Sequence, residues 1–220
     1  MPLMDQDTQN QVRDLLAGVK SPVTLRLFSQ EFECGYCQET RQILEEVAEL
    51  SDFVTVEISD FVADKDLAES LGVDKIPGVA VLGEGGQDYG IRFFGIPSGY
   101  EFTSLLESII LVGTGALGIT EETRTFLDGL DEPLHLQVFV TPTCPYCPRA
   151  VVLAHHLAYA SDKVTADMVE VTEFPHLGNR YNVMGVPRTV INDDTYIEGA
   201  APEQMLLEKL KAAVRLGAKA

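Results

Sequence analysis

The chain has 220 residues, 45% hydrophobic and 23% charged, a composition that excludes a disordered polymer and allows one large core or two small ones. Its formal net charge of −18, from 34 acidic and 16 basic residues, excludes nucleic acid and anionic membrane surfaces as partners, because both would repel it. The start, MPLMDQDTQNQVRDLL, lacks the basic and apolar regions of a secretory signal. The apolar run from Ile109 to Leu117 falls short of the roughly 18 residues a membrane span requires, so the expectation is a cytoplasmic protein without a transmembrane segment.

In chain order, QNQVRDLLAG predicts a short helix closed by Pro22, and VTLRLF a strand apolar enough to be buried on both faces. Cys34-Gly35-Tyr36-Cys37 then opens a helix over QETRQILEEVAEL, followed by the β-rich VTVEIS (54–59) and by GVDKIP (72–77). GVAVLG and IRFFG flank a GEGG turn and predict an antiparallel hairpin at a sheet edge; Gly95-Ile96-Pro97 precedes a terminal helix. GEGG has neither the lysine nor the strand-to-helix context of a phosphate loop.

The same series then repeats. EETRTFLDG ends before Pro133, HLQVFV leads to Cys144-Pro145-Tyr146-Cys147, and PRAVVLAHHLAYA, DMVEVT (167–172), NVMGVP (182–187), RTVIND, TYIEG and a helix after Pro202 follow. Pro77 lies 43 residues after Cys34, and Pro187 lies 43 after Cys144, an interval that identifies two copies of one unit. The predicted boundary is the glycine-rich LVGTGALG (111–118), giving units 1–115 and 116–220.

All four cysteines fall in the two CxxC pairs, far too few for a disulfide scaffold. A Cys₄ zinc site remains a rival reading, but zinc ribbons place their pairs about 15 to 20 residues apart, and these stand 110 apart. A clip closing so small a loop would remove little chain entropy. Thiol–disulfide exchange, by contrast, needs an attacking thiolate and a second thiol close enough to resolve the mixed disulfide. Cys34 and Cys144, near a helix N-terminus whose dipole favours the thiolate, are the expected nucleophiles, and Cys37 and Cys147 the resolving thiols. They are expected to be exposed and shielded respectively, with Pro145 in the first helical turn. No metal and no cofactor beyond the redox-active disulfides is expected.

A strand, a CxxC that opens a helix, and an Ile-Pro or Val-Pro 43 residues on resemble the thioredoxin fold, and CPYC is the glutaredoxin form of the motif. Two such units in one chain resemble the glutaredoxin-like protein disulfide oxidoreductases, known chiefly from thermophilic archaea and bacteria. The resemblance implies an α/β fold of two tandem thioredoxin-like units, each a mixed central sheet flanked by helices. It further implies cis bonds before Pro77 and Pro187, with Ile76 and Val186 presenting backbone groups to an extended substrate. The implied activity is dithiol–disulfide exchange that reduces, forms or isomerises protein disulfides. An electron carrier between a thioredoxin-reductase-like flavoenzyme and a peroxiredoxin is the alternative, and a zinc-binding or redox-sensing module a remote one. The chain departs from the family in carrying Gly185-Val186-Pro187 and Gly199-Ala200-Ala201 where a glutathione site would stand, and Leu27 and Val138 where thioredoxins bury an aspartate. Its seven lysines do not suggest a thermophilic source.

The two sites are expected to differ. Glu31 and Glu33 oppose a thiolate at Cys34, whereas Arg149 and Arg188 make the surroundings of Cys144 more electropositive and Cys144 the stronger acid. Glu57 and Glu170, in matching places in the strand after each active-site helix, are candidates for proton transfer or for tuning the thiols. Tyr36 and Tyr146 read as rim residues, and His155 and His156 as an ordinary, partly exposed pair.

Overall fold

Asp5 accepts a hydrogen bond from Thr8 N–H at 2.8 Å and caps α1 (Gln6–Leu16); Thr120 caps α5 (Glu121–Asp128) in the same way. Each cap starts one round of the same element series. The first round continues as β1 (Val23–Ser29), α2 (Cys37–Ala48), β2 (Val54–Asp60), α3 (Lys65–Ser70), β3 (Gly78–Leu82), β4 (Asp88–Phe94) and α4 (Glu101–Thr114). The second is β5 (Leu134–Val140), α6 (Cys147–Ala160), β6 (Val164–Glu170), α7 (Pro175–Arg180), β7 (Arg188–Ile191), β8 (Thr195–Glu198) and α8 (Glu203–Gly217). The computed structural model describes residues 2–217. Gly115, in the left-handed conformation at φ 68°, stops α4 with its N–H on the Leu111 carbonyl.

The strands form one mixed sheet in the order β2-β1-β3-β4-β6-β5-β7-β8. In each half the first strand is parallel to the second and antiparallel to the third, and the third and fourth form a hairpin. The two quartets join where β4 runs parallel to β6, from Ile91 opposite Ala166 to Phe94 opposite Val169. The first hairpin therefore lies in the middle of the sheet, not at an edge as its sequence suggested; among the described residues β2 and β8 are the edges. At this seam Gly90, at φ 73°, lets the backbones approach, for a Cβ there would stand 2.6 Å from the Val164 carbonyl oxygen.

Strand side chains alternate between two cores. Leu25, Leu27, Phe93, Leu136, Val138 and Met168 face the larger one, which takes in α1, α2, α4, α5, α6 and α8. Phe28, Phe94, Phe139 and Val169 face the smaller one, under α3 and α7. Because β1 and β5 run in the same direction, the loops after both emerge at one edge of the sheet, and both following helices pack on the same face.

Candidate active sites

The CxxC pairs lie in those two loops. Cys34 and Cys37 form one disulfide and Cys144 and Cys147 the other, with Cα atoms 5.6 and 5.5 Å apart. In both, the second cysteine is the first residue of its helix and is buried, Cys37 at 4% and Cys147 at 0% exposure. The first cysteine stands three residues ahead of the helix, so Pro145 occupies the preceding turn, and Pro148 takes the place in the first helical turn expected of it. The peptide bonds Ile76–Pro77 and Val186–Pro187 are cis. Both prolines are buried, with Ile76 and Val186 half-buried beside them. Their carbonyls accept from Gly95 N–H at 2.9 Å and Gly199 N–H at 2.8 Å.

The two sites are not equally open. Cys34 is half-buried, but Cys144 is only 8% exposed, against the expectation that the attacking thiols would be accessible. The first half's own chain packs beside the Cys144 loop. Its segment 95–100 leaves β4 at the shared edge and lies against the loop before Cys144: Tyr100 N–H donates to the Pro142 carbonyl at 2.9 Å, and a Cβ on Gly99 would stand 2.3 Å from that oxygen. Ile96 N–H donates to the Glu173 carboxylate at 2.6 Å, and burial pushes the Glu173 pKa up to about 7. Segment 199–202, the counterpart in the second half, leaves the outer strand β8, and Gly199 has open space around it.

Glu101, the first residue of α4, is fully buried, one residue after the Tyr100 contact. Burial raises its pKa to about 7, and Ser104 donates to its Oε2 at 2.7 Å. Its counterpart Glu203 begins α8 at the surface. Although partial burial opposes it, hydrogen bonds from Thr123 and Thr120 lower the Glu203 pKa. Sequence reasoning missed Glu101, because an acidic residue in a first helical turn carries no signal of its burial.

Three expected residues stand elsewhere than supposed. The register pairs Glu57 with Arg26 and Glu170 with Val140, so the structural counterpart of Glu57 is Asp167, opposite Gln137, and that of Glu170 is Asp60, opposite Ser29. Similar letters in VTVEIS and DMVEVT had suggested an alignment three residues off. Glu57 lies on the sheet face away from α2, in an ion pair with Arg26, its side chain 48% exposed. Glu170 is buried on the α6 face, accepting from Thr172 Oγ1 at 2.6 Å and Glu173 N–H at 2.7 Å. Arg188 sits opposite Phe139, on the face away from α6, buried against the Tyr196 ring and paired with Glu198 at 2.6 Å. Its guanidinium is thus engaged by Glu198 and Tyr196 on the opposite face of the sheet from α6.

His155 is buried rather than partly exposed. Its Nδ1 meets Ser108 Oγ at 2.8 Å, its ring lies edge-on to Phe93, and burial lowers its pKa to about 3. Adjacent helix positions point in different directions, so His156 faces outward and accepts from Gly118 N–H at 3.1 Å. No cluster of three or more histidine, cysteine or acidic side chains suited to a metal ion occurs among the described residues, nor a helix long and apolar enough to cross a membrane.

Residues 134–212 match the thioredoxin domain family. The chain is similar to a protein disulfide oxidoreductase from Aeropyrum pernix, with a TM-score of 0.89 and 29% identity over 96% of this chain and 94% of that one. It is also similar to the NTD_N/C domain of alkylhydroperoxide reductase AhpF from Enterococcus faecalis, with a TM-score of 0.87 and 27% identity over 93% and 98% of the two chains. Among curated proteins, the F subunit of alkyl hydroperoxide reductase from Staphylococcus epidermidis is 29% identical over 78% of this chain and 31% of its own. NADH dehydrogenase of Bacillus subtilis is 21% identical over 99% and 39%. The chain thus spans about a third of the length of these curated relatives. Two rounds of one element series in a continuous sheet, with one CxxC disulfide in each, give this chain a thioredoxin-like fold similar to that of the Aeropyrum pernix protein disulfide oxidoreductase.

Proposed function

We propose that the chain is a dithiol–disulfide oxidoreductase acting on protein disulfides through both CxxC pairs. The observation behind this reading is that each pair forms a disulfide at the mouth of a helix, with its second cysteine the more deeply buried of the two. In the reducing direction the Cys34 or Cys144 thiolate attacks a substrate disulfide, whose S–S bond breaks and releases one thiolate to be protonated. The Cys37 or Cys147 thiolate then attacks the mixed disulfide and releases the second substrate thiol. Two electrons and two protons pass to the substrate, and the CxxC pair is left oxidised. Of the two strand glutamates, Glu170 on the α6 face would serve this proton traffic, whereas Glu57 lies on the face away from α2.

The partners would be disulfide-bearing proteins and an external reductant. A flavin-dependent thioredoxin-type reductase and a peroxiredoxin are the second reading, favoured by the likeness to the reductase domain. Turbidimetric insulin reduction by dithiothreitol tests the first. The chain should accelerate it, each single-dithiol variant (Cys34→Ser with Cys37→Ser, or Cys144→Ser with Cys147→Ser) should retain part of the rate, and the fourfold serine variant should fall to the uncatalysed rate. An unaccelerated insulin reaction, alongside peroxide-dependent NAD(P)H oxidation when such a reductase and a peroxiredoxin are added, would leave the carrier reading in its place.

A further inference from the structure

The CGYC site adjoins a groove along β2 and α3, whereas the CPYC helix borders a separate hollow of about 470 Å³ at Pro148 and Arg149. A hollow of about 330 Å³ beside Cys37, shared by Glu31, Ile58 and Asp60, runs into one of about 320 Å³ under Phe32 and Val62. Val62 then links to a third of about 600 Å³, floored by Ala68 and Val73 next to α3. Phe32 is 78% and Val62 72% exposed, and the two line the same hollow. The rim near the cysteines is acidic: Glu31, Glu33 and Glu39 are exposed, and the cations lining the hollows, Arg41 and Lys65, are paired with Glu45 at 2.7 Å and Glu69 at 3.3 Å. Asp60 adds a further exposed carboxylate. Around Cys144 the charge is different. Residues 141–149 contain one charged side chain, Arg149; Glu170, the counterpart of Asp60, is buried; and Asp74 of the first proline loop is replaced by Met184.

We propose that this groove docks an extended polypeptide whose cysteine is flanked by basic and apolar side chains, so that the two dithiols select different substrates. The inference rests on the oxidoreductase reading above. The cysteine reaches Cys34, the basic side chains face Glu31, Glu33 and Asp60, and an apolar side chain enters the hollow behind Val62. A second copy of this chain is a poor occupant, since two molecules of net charge −18 repel each other.

The test uses prereduced single-dithiol variants and two symmetrical disulfide peptides, Leu-Lys-Cys-Lys-Leu and Leu-Glu-Cys-Glu-Leu, each rate divided by that of dithiothreitol with the same peptide. The CGYC-only protein should prefer the lysine peptide about tenfold at low salt, because several weak exposed contacts act together. That preference should shrink to about twofold near 1 M salt. The CPYC-only protein should show less than about threefold preference. Glu31→Gln with Glu33→Gln should remove most of the discrimination, and Val62→Ser should slow the leucine peptides but not glycine-substituted ones. Equal preference at both sites, discrimination that survives the glutamine changes, or self-association of the CGYC-only protein at low salt would overturn the proposal. If neither variant reduces either peptide, the oxidoreductase reading itself fails, an outcome distinct from reduction without discrimination.

Discussion

The strands β2 and β6 occupy the same place in their respective halves and begin alike, as VTVEISD and VTADMVE, yet they end in different environments. In β2 Thr55, Glu57 and Ile58 are exposed, whereas β6 is buried from Ala166 to Glu170. The hairpin strands show the reverse: β4, DYGIRFF, is buried over its last five residues, and β8 is the short, polar TYIE. One is a seam strand and one an edge strand in each comparison. A short polar edge resists pairing with other chains, whereas a seam strand must bury both faces. Duplication thus gave two copies of one unit different surroundings. The seam walls in the CPYC site and leaves the CGYC site open.

The sharpest way to break this comparison is at the paired glycines that follow the hairpins. Gly95→Ala would place a Cβ 2.6 Å from the Glu170 Cβ and 2.7 Å from Glu173 Oε1, at φ 91°. It should cost about 3 kcal/mol, combining left-handed strain with overpacking. Gly199→Ala, at φ 78° with nothing within 4 Å, should cost about 1 kcal/mol. Urea denaturation of both variants checks this, and equal losses would contradict a packed seam.

The paired glutamates give a pH-dependent contrast. The Glu101 pKa of about 7, above its ordinary 4.5, means the folded protein holds a proton that the unfolded chain releases. That stabilising contribution is complete below about pH 4.5 and is lost as pH rises through 7. Glu101→Gln should therefore gain up to about 3 kcal/mol over the parent at pH 8 and nothing at pH 4.5. The lowered pKa of Glu203 has the opposite sign: its contribution is present above pH 4.5 and lost as pH falls through the folded value. At this half-buried site Glu203→Gln should lose about 1 kcal/mol at pH 7. Stability curves between pH 4.5 and 8 that run in parallel for the two variants would refute the assignment. The smallest effect belongs to Glu57→Gln, within about 0.5 kcal/mol, with insulin reduction by the CGYC-only protein unchanged.

The repeat, the cysteine pairs and the proline loops were legible because their residues recur at fixed intervals in both halves. The seam was written less plainly, in the contrast of IRFFG with TYIEG, which reports burial only once the two hairpins are compared with each other. Glu57 and Glu170 were misaligned because hydrogen-bond register, not letter similarity, decides which residues are equivalent. The wall beside Cys144 depends on segment 95–100 meeting Pro142 across more than forty residues of chain, a contact with no local signature.

The parallel pairing of β4 with β6 also bears on traffic between the dithiols. β1 and β5 lie four places apart in one hydrogen-bonded sheet, roughly 19 Å at about 4.8 Å per strand, and a continuous sheet provides no hinge to close that gap. The two disulfides are fixed stations rather than moving arms. Electrons that leave one for the other must travel on a third sulfur or on another molecule of the protein, so exchange between the sites should quicken as protein concentration rises.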